Sequence, residues 1–198
     1  MKKLTVVFVL LFQAWVGTVA HAQENPSSSK LGISLEIDPA TFVFKGYSAH
    51  IRIKPPKSKH VLIGAGVYAL DMPSMLVDLN PENKAKDWNV RLKLGYGVFG
   101  EYHFREVNKR FFVGSQLSFQ TYQIEKENEP NKSEFTNILF MPYAGYTIQP
   151  FNFPLYAKFW GGVGYTNKVS GSNELNGKTY DIAPITMFAT VHLGYTIK

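Results

Sequence analysis

No cysteine occurs among the 198 residues. That excludes disulfides, thiol chemistry and a lipid anchor on a cysteine at an export cleavage site. Long hydrophobic runs are scarce as well. Past residue 22 no segment reaches the roughly 18 consecutive apolar residues that a membrane-crossing helix needs. Charge of one sign is not concentrated either: the formal net charge of +6 is mild, and the lysines and arginines are spread along the chain. A nucleic-acid partner is therefore not expected, because it would call for a basic patch or stripe. Helix-favouring stretches are few. In their place stand 15% aromatics and 16 glycines, a balance that points to an all-β class.

The N-terminus reads as an export signal. Met1-Lys2-Lys3 is a short basic region, Leu4 to Phe12 is apolar, and Ala20-His21-Ala22 supplies a small-x-small cleavage site. Residues 1–22 are thus expected to be a signal peptide cut to leave Gln23 first. Taking these 22 residues from the 198 leaves 176, and the charge falls from +6 to +4 because Lys2 and Lys3 go without an acidic residue. Residues 23–29 (QENPSSS) form a polar lead-in. Residues 30–198 carry no composition break and no internal repeat, so they are expected to form one domain.

The clearest pattern in that domain is the run from Trp88 to Phe104. One parity holds Trp88, Val90, Leu92, Leu94, Tyr96, Val98, Gly100, Tyr102 and Phe104; the other holds Asn89, Arg91, Lys93, Gly95, Gly97, Phe99, Glu101 and His103. Successive strand side chains point to opposite faces, so the run predicts one long strand with an oily face and a polar face. Its length far exceeds the roughly 5–6 residues of an ordinary globular strand. Eight alternating segments follow this pattern, at about 30–38, 46–54, 60–70, 88–104, 110–123, 135–148, 154–167 and 182–197. In the sixth, Leu139 and Met141 interrupt the polar face, and Pro142 predicts a bulge or local break. Gaps 55–59, 105–109 and 149–153 are tight, whereas 71–87, 124–134 and 168–181 are long.

Short turns at one end and long loops at the other predict an eight-stranded antiparallel up-and-down transmembrane β-barrel, with short periplasmic turns and long extracellular loops. In that arrangement the polar parity fills the lumen with Glu36, His50, Arg52, Arg91, Lys93, Glu101, His103, Lys158 and His192, interleaved with glycines. An eight-stranded interior is just wide enough for side chains to fill it. The oily parity faces lipid, and Trp88, Tyr102, Phe104, Phe111, Phe153, Tyr165 and Tyr195 are expected in aromatic girdles near its edges. A soluble lipocalin-like barrel has the same period with its faces reversed.

The signal peptide, the eight strands and the terminal run Val191-His-Leu-Gly-Tyr-Thr-Ile-Lys198 resemble the small outer-membrane β-barrel proteins, a group that includes the OmpA transmembrane domain, OmpX and the OmpW family. The resemblance covers the architecture of residues 30–198 and rests on no diagnostic motif. It implies the cell outer membrane of a Gram-negative bacterium as location, and outer-membrane lipids, lipopolysaccharide and the barrel-assembly machinery as partners of a monomer. Members usually end in an aromatic residue, where this chain has Lys198.

Motifs that could carry chemistry are weak. Gly95-Tyr-Gly97-Val-Phe-Gly100 spells a dinucleotide fingerprint, but that motif needs a helix after its glycines, and here they sit inside a strand. His50, His60, His103 and His192 share the polar parity but lack a metal-site spacing, so structural hydrogen bonding is expected, with no metal and no cofactor. Outer-membrane lipid A deacylases place a serine two residues after a histidine, where His192 has Gly194. Palmitoyltransferase barrels use a loop histidine, and the three long loops contain none. No catalytic residue is therefore assigned, and the expected function is non-enzymatic: a structural or surface-interaction role through the long loops. Three alternatives stay open: a narrow conduit for small or hydrophobic solutes, a lipid-modifying enzyme, and a soluble periplasmic ligand binder.

Overall fold

The computed structural model describes residues 30–84, 86–126, 130–150 and 153–197. The expected signal peptide (1–22), the lead-in (23–29) and Lys198 lie outside the described residues. In chain order the elements are β1 (Gly32–Ile37), α1 (Pro39–Val43), β2 (Tyr47–Lys54), β3 (Val61–Asp71), α2 (Ser74–Val77), a 3₁₀ turn (Pro81–Asn83), β4 (Trp88–His103), β5 (Arg110–Lys126), β6 (Lys132–Ile148), β7 (Leu155–Gly171), a small hairpin of β8 (Glu174–Leu175) and β9 (Lys178–Thr179), and β10 (Ile185–Ile197). Among the described residues no helix is long and apolar enough to cross a membrane.

Eight strands close on themselves in the order β1-β10-β7-β6-β5-β4-β3-β2, every pair antiparallel. The eight expected segments correspond to these strands. β5, β6 and β7 extend further toward the loop end than the sequence pattern suggests. Glu125 pairs with Lys132 and Thr121 with Thr136, so most of the expected 124–134 loop is ladder. Lys132 bonds Glu125 at 2.6 Å across that ladder.

Two local features depart from the sequence reading. Pro142 causes no bulge: it stays in register opposite Ser115, and the β6–β7 register is the same on either side of it. The expected local break is present on the β7 side, where the pairing passes from Phe140–Tyr165 to Tyr143–Gly162 with no pair at Met141 or Pro142. The register shifts lie elsewhere. Against both neighbours, β4 carries one extra residue between Leu92 and Leu94, and β7 carries one between Lys168 and Ser170. Each is a β-bulge, with two residues set against one. Because the side-chain period is two, one inserted residue moves everything beyond it to the other face. Below the bulge in β4, Glu101 and His103 are buried while Tyr96, Val98 and Tyr102 are exposed. Above it, Trp88, Val90 and Leu92 are buried.

β1 is the short strand. It pairs with β10 only from Ile33–Ile197 to Ile37–Leu193, leaving β10 above Leu193 with β7 as its one strand partner among the described residues. Chain direction changes at Asp38, whose carboxylate accepts the Ala40 N–H at 2.9 Å and caps α1, with Pro39 at the first helical position. α1 packs against β2, β3 and β10, occupying the place a longer β1 would take. The Thr190 hydroxyl, on β10, donates to Asp38 at 2.9 Å and ties the two together.

Candidate functional site

The closed sheet carries its charge inside. Nearest the turns, Asn108 reaches inward from the 104–109 turn and donates through Nδ2 to Ser34 Oγ at 3.3 Å and Thr196 Oγ1 at 3.4 Å. Above this floor two carboxylates organise an ionic cluster drawn from six strands. Lys158 Nζ donates to Glu36 Oε1 at 2.7 Å and to Glu101 Oε2 at 2.9 Å. Arg52 Nε donates to Glu36 Oε2 at 3.0 Å, and its Nη1 lies 3.7 Å from Glu101 Oε1. Phenol groups join from either side, Tyr156 to Glu36 at 2.8 Å and Tyr143 to Glu101 at 3.1 Å. Each carboxylate also takes an imidazole N–H: His192 Nδ1 to Glu36 at 3.0 Å and His103 Nε2 to Glu101 at 3.1 Å.

These groups are almost wholly enclosed, with Lys158 at 0% and Glu36 at 2% exposure. Buried charge is costly unless paired and hydrogen-bonded, and here each carboxylate touches two cationic groups and two further donors. The glycines on the same face make room. A Cβ on Gly194 would sit 2.2 Å from the Tyr156 ring, and one on Gly64 would sit 2.6 Å from Arg52 Cδ. Large and small residues thus alternate across neighbouring strands, so the side chains lie flat across the lumen.

Toward the loops the filling changes. A cavity of about 480 Å³ opens above the ionic cluster, bordered by Leu70, Leu92, Leu139, Met141 and Phe99, with polar spots at His50, Gln116, Gln120 and Asn137. Two buried polar atoms on this wall, His50 Nδ1 and Asn137 Oδ1, have no hydrogen-bond partner among the described residues. Over the cavity the loops fold inward as a cap. Val77, Trp88, Val90, Ile124, Phe135 and Leu175 form one buried apolar cluster, with Met72, Tyr122, Tyr180 and Ile182 packed on it. The fully buried Asn83 pins the cap: its Nδ2 donates to Asp181 O and its Oδ1 accepts the Asp181 N–H, both at 2.8 Å. Tyr180 lies edge-on to Trp88 at 5.7 Å. Burial, with the charges of Asp78 and Asp181 behind it, pushes the Tyr180 phenol up to about 12.

The structure brings together Glu36, Arg52, Glu101, His103, Lys158 and His192. His50 lies just above them, its ring 4.7 Å from that of His192. Arg91 and Lys93 are corrections: both stand outside the lumen at the loop-end rim. Arg91 pairs with Asp71, and Lys93 reaches Glu134 at 2.5 Å, all four side chains being about half exposed. Trp88 is the converse correction, buried in the cap beneath Lys126, whose Nζ lies 4.5 Å from its ring, instead of facing outward. The β4 bulge accounts for all three. Tyr102, Phe104, Phe111, Phe153 and Tyr195 face outward toward the turn end, and Tyr165 faces outward nearer the loop end, opposite Ile185.

His60 stands apart at the turn end, bonded through Nδ1 to the His103 carbonyl at 2.8 Å. Gly95, Gly97 and Gly100 lie within β4, with Gly95 under the Tyr68 ring. Among the described residues no group of three or more histidine or acidic side chains could hold a metal ion. Residues missed by the sequence reading are Tyr143, Tyr156, Asn108 and Asp38. Tyr156 had a usable signal, since it shares a strand face with Lys158 two residues on. Comparison of the chain with protein-family models, with curated proteins and with solved structures gives no match.

Proposed function

We propose that this chain is an outer-membrane β-barrel of a Gram-negative envelope, non-enzymatic and non-conducting, acting as a membrane-embedded scaffold whose loop end meets surface partners. One observation carries the reading: the distribution of polarity is inverted. Leu35, Ile51, Ile63, Val67, Val98, Leu117, Phe140, Val163 and Leu193 stand outside at about 40–58% exposure, while Glu36, Arg52, Glu101 and Lys158 are enclosed. A water-facing surface rarely exposes so large a continuous apolar patch, and lysine or glutamate is almost never fully buried without a partner. Lipid as the outer solvent removes both difficulties.

The outward aromatics fit interfacial girdles, and the long-loop end fits the cell exterior. Within this reading the buried ionic cluster spans an eight-stranded lumen, so no steady water path through it is expected. Envelope fractionation with a heat-shift on a gel tests the membrane assignment: the expected protein stays with carbonate-washed membranes and migrates faster unboiled than boiled. Release by carbonate with no shift would overturn it. Heat-shifted protein in planar bilayers tests the closed lumen, where a steady ohmic conductance is the contrary result.

A further inference from the structure

Between α1 and β10 the wall of the sheet is incomplete, and the upper cavity reaches that gap. Strand parity puts Thr186, Phe188 and Thr190 inside and Ile185, Met187 and Ala189 outside, yet all six border the same cavity. An intact strand cannot present both faces to one space. The cavity therefore passes around the β10 edge, at the stretch where β1 has already ended at Ile37 and no other strand among the described residues replaces it. Beside the opening, α1 turns Phe42 and Val43 outward, the latter 76% exposed.

We infer that this chamber takes one acyl chain of a bilayer lipid, admitted sideways through the wall between α1 and β10. The inference rests on the membrane reading above. Three features single out that occupant. Below, the chamber is shut by the ionic cluster; above, the Trp88–Phe135 cap that Asn83 pins covers it in part, with Met75 and Leu79 of the loop after β3 at its margin, and the gap beside β10 opens it sideways. The opening lies within the outward apolar surface, where the surrounding medium is lipid chain and not water. Its walls are Leu70, Leu92, Leu139 and Met141, and its volume of about 480 Å³ falls in the roughly 300–1,000 Å³ range of ligand pockets. A dead-end chamber of this kind holds a chain without passing it across the membrane.

The test uses the full chain, folded as judged by heat-shift, in phosphatidylcholine vesicles. These contain a trace of phosphatidylcholine bearing a photoactivatable diazirine near the end of one acyl chain. After irradiation the labelled residues are mapped by mass spectrometry. Label is expected at inward Leu139, Met141 and Phe188 as well as at outward Val98 and Val163. Thr186→Trp, which fills the passage, and Ala189→Trp, which narrows it from outside, are each expected to lose the inward label and keep the outward label. Outward label without inward label in the native chain overturns the chamber, as does inward label that persists in both variants. A heat-shifted protein that takes label at neither set overturns the membrane reading itself, so the two failures are distinguishable.

Discussion

Toward the turns, the lumen is filled by a buried ionic cluster with its phenol and imidazole partners. Toward the loops, the same eight strands enclose a space bounded by leucine, methionine and phenylalanine and roofed by aromatic side chains. The difference starts in single residues on one strand face. β7 places Tyr156 and Lys158 inward near the turns, then Gly162 and Gly164 higher up. β6 places Tyr143 low and Leu139 high. Large polar groups meet below because their charges must find partners away from water, and that requirement holds Glu36, Arg52, Glu101 and Lys158 in one cluster. Above, apolar walls make no such demand, and a void persists. The lower half specifies the fold; the upper half has space to hold something else.

If that contrast is right, removing a charge from the lower half has the largest effect. Glu36→Leu takes the shared acceptor away from Lys158, Arg52, Tyr156 and His192. It is expected to cost about 3–5 kcal/mol in urea unfolding of vesicle-folded protein, the range for breaking a buried pair from one side. A cost below about 1 kcal/mol would mean that water reaches the cluster. Enlarging a side chain separates the halves next. Gly194→Val drives a methyl group into the Tyr156 ring and should cost about 1–3 kcal/mol, whereas Leu139→Phe grows into the chamber and should shift stability by less than about 1 kcal/mol. Equal penalties would erase the distinction.

Smaller effects belong to the cap. Asn83→Ala leaves the Asp181 amide unmatched and its carbonyl with only the longer bond from Asn80 Nδ2 at 3.4 Å, and should cost about 1–2 kcal/mol, read most directly as faster proteolysis within residues 71–87. Unchanged cleavage would show that the cap is held by packing alone. The smallest effect is that of Tyr180. Its phenol ordinarily titrates near 10.0 and in the closed cap near about 12. Below pH 10 both states keep the proton and the cap has its full stability. Between those values the opened state alone ionises, so stability falls as pH rises. The difference in alkaline phenolate absorbance between the native chain and Tyr180→Phe should therefore show a step near pH 12, and a step near pH 10 would place Tyr180 in open water.

Much of this architecture was legible in period-two alternation. Glu36, Arg52, Glu101, Lys158 and His192 fall on one parity of five strands, and closing the sheet brings them together. Arg91, Lys93 and Trp88 were misassigned because a bulge at residue 93 leaves no mark in a pattern whose residues are plausible on either face. At Pro142 the expected bulge is absent, because the strand keeps its register past the proline, and the expected local break is confined to the β7 side, where Met141 and Pro142 are skipped in the pairing. Leu139 and Met141 looked like errors in the polar face of the sixth strand; they are the chamber wall. The gap beside β10 follows from where β1 stops, and residues 37–39 offer only Asp38-Pro39 as a hint of that end.

The absence of cysteine makes the decisive measurement simple, because any introduced thiol is the chain's single one. Val98 stands at mid-height on the outer face of β4, 58% exposed, and Glu82 stands exposed in the 3₁₀ turn of the loop after β3. In intact membranes Val98→Cys should resist a charged, membrane-impermeant maleimide that modifies Glu82→Cys readily, and should react once unfolded in denaturant. Equal reaction at the two sites in intact membranes would contradict the account, because the apolar face would then look onto water.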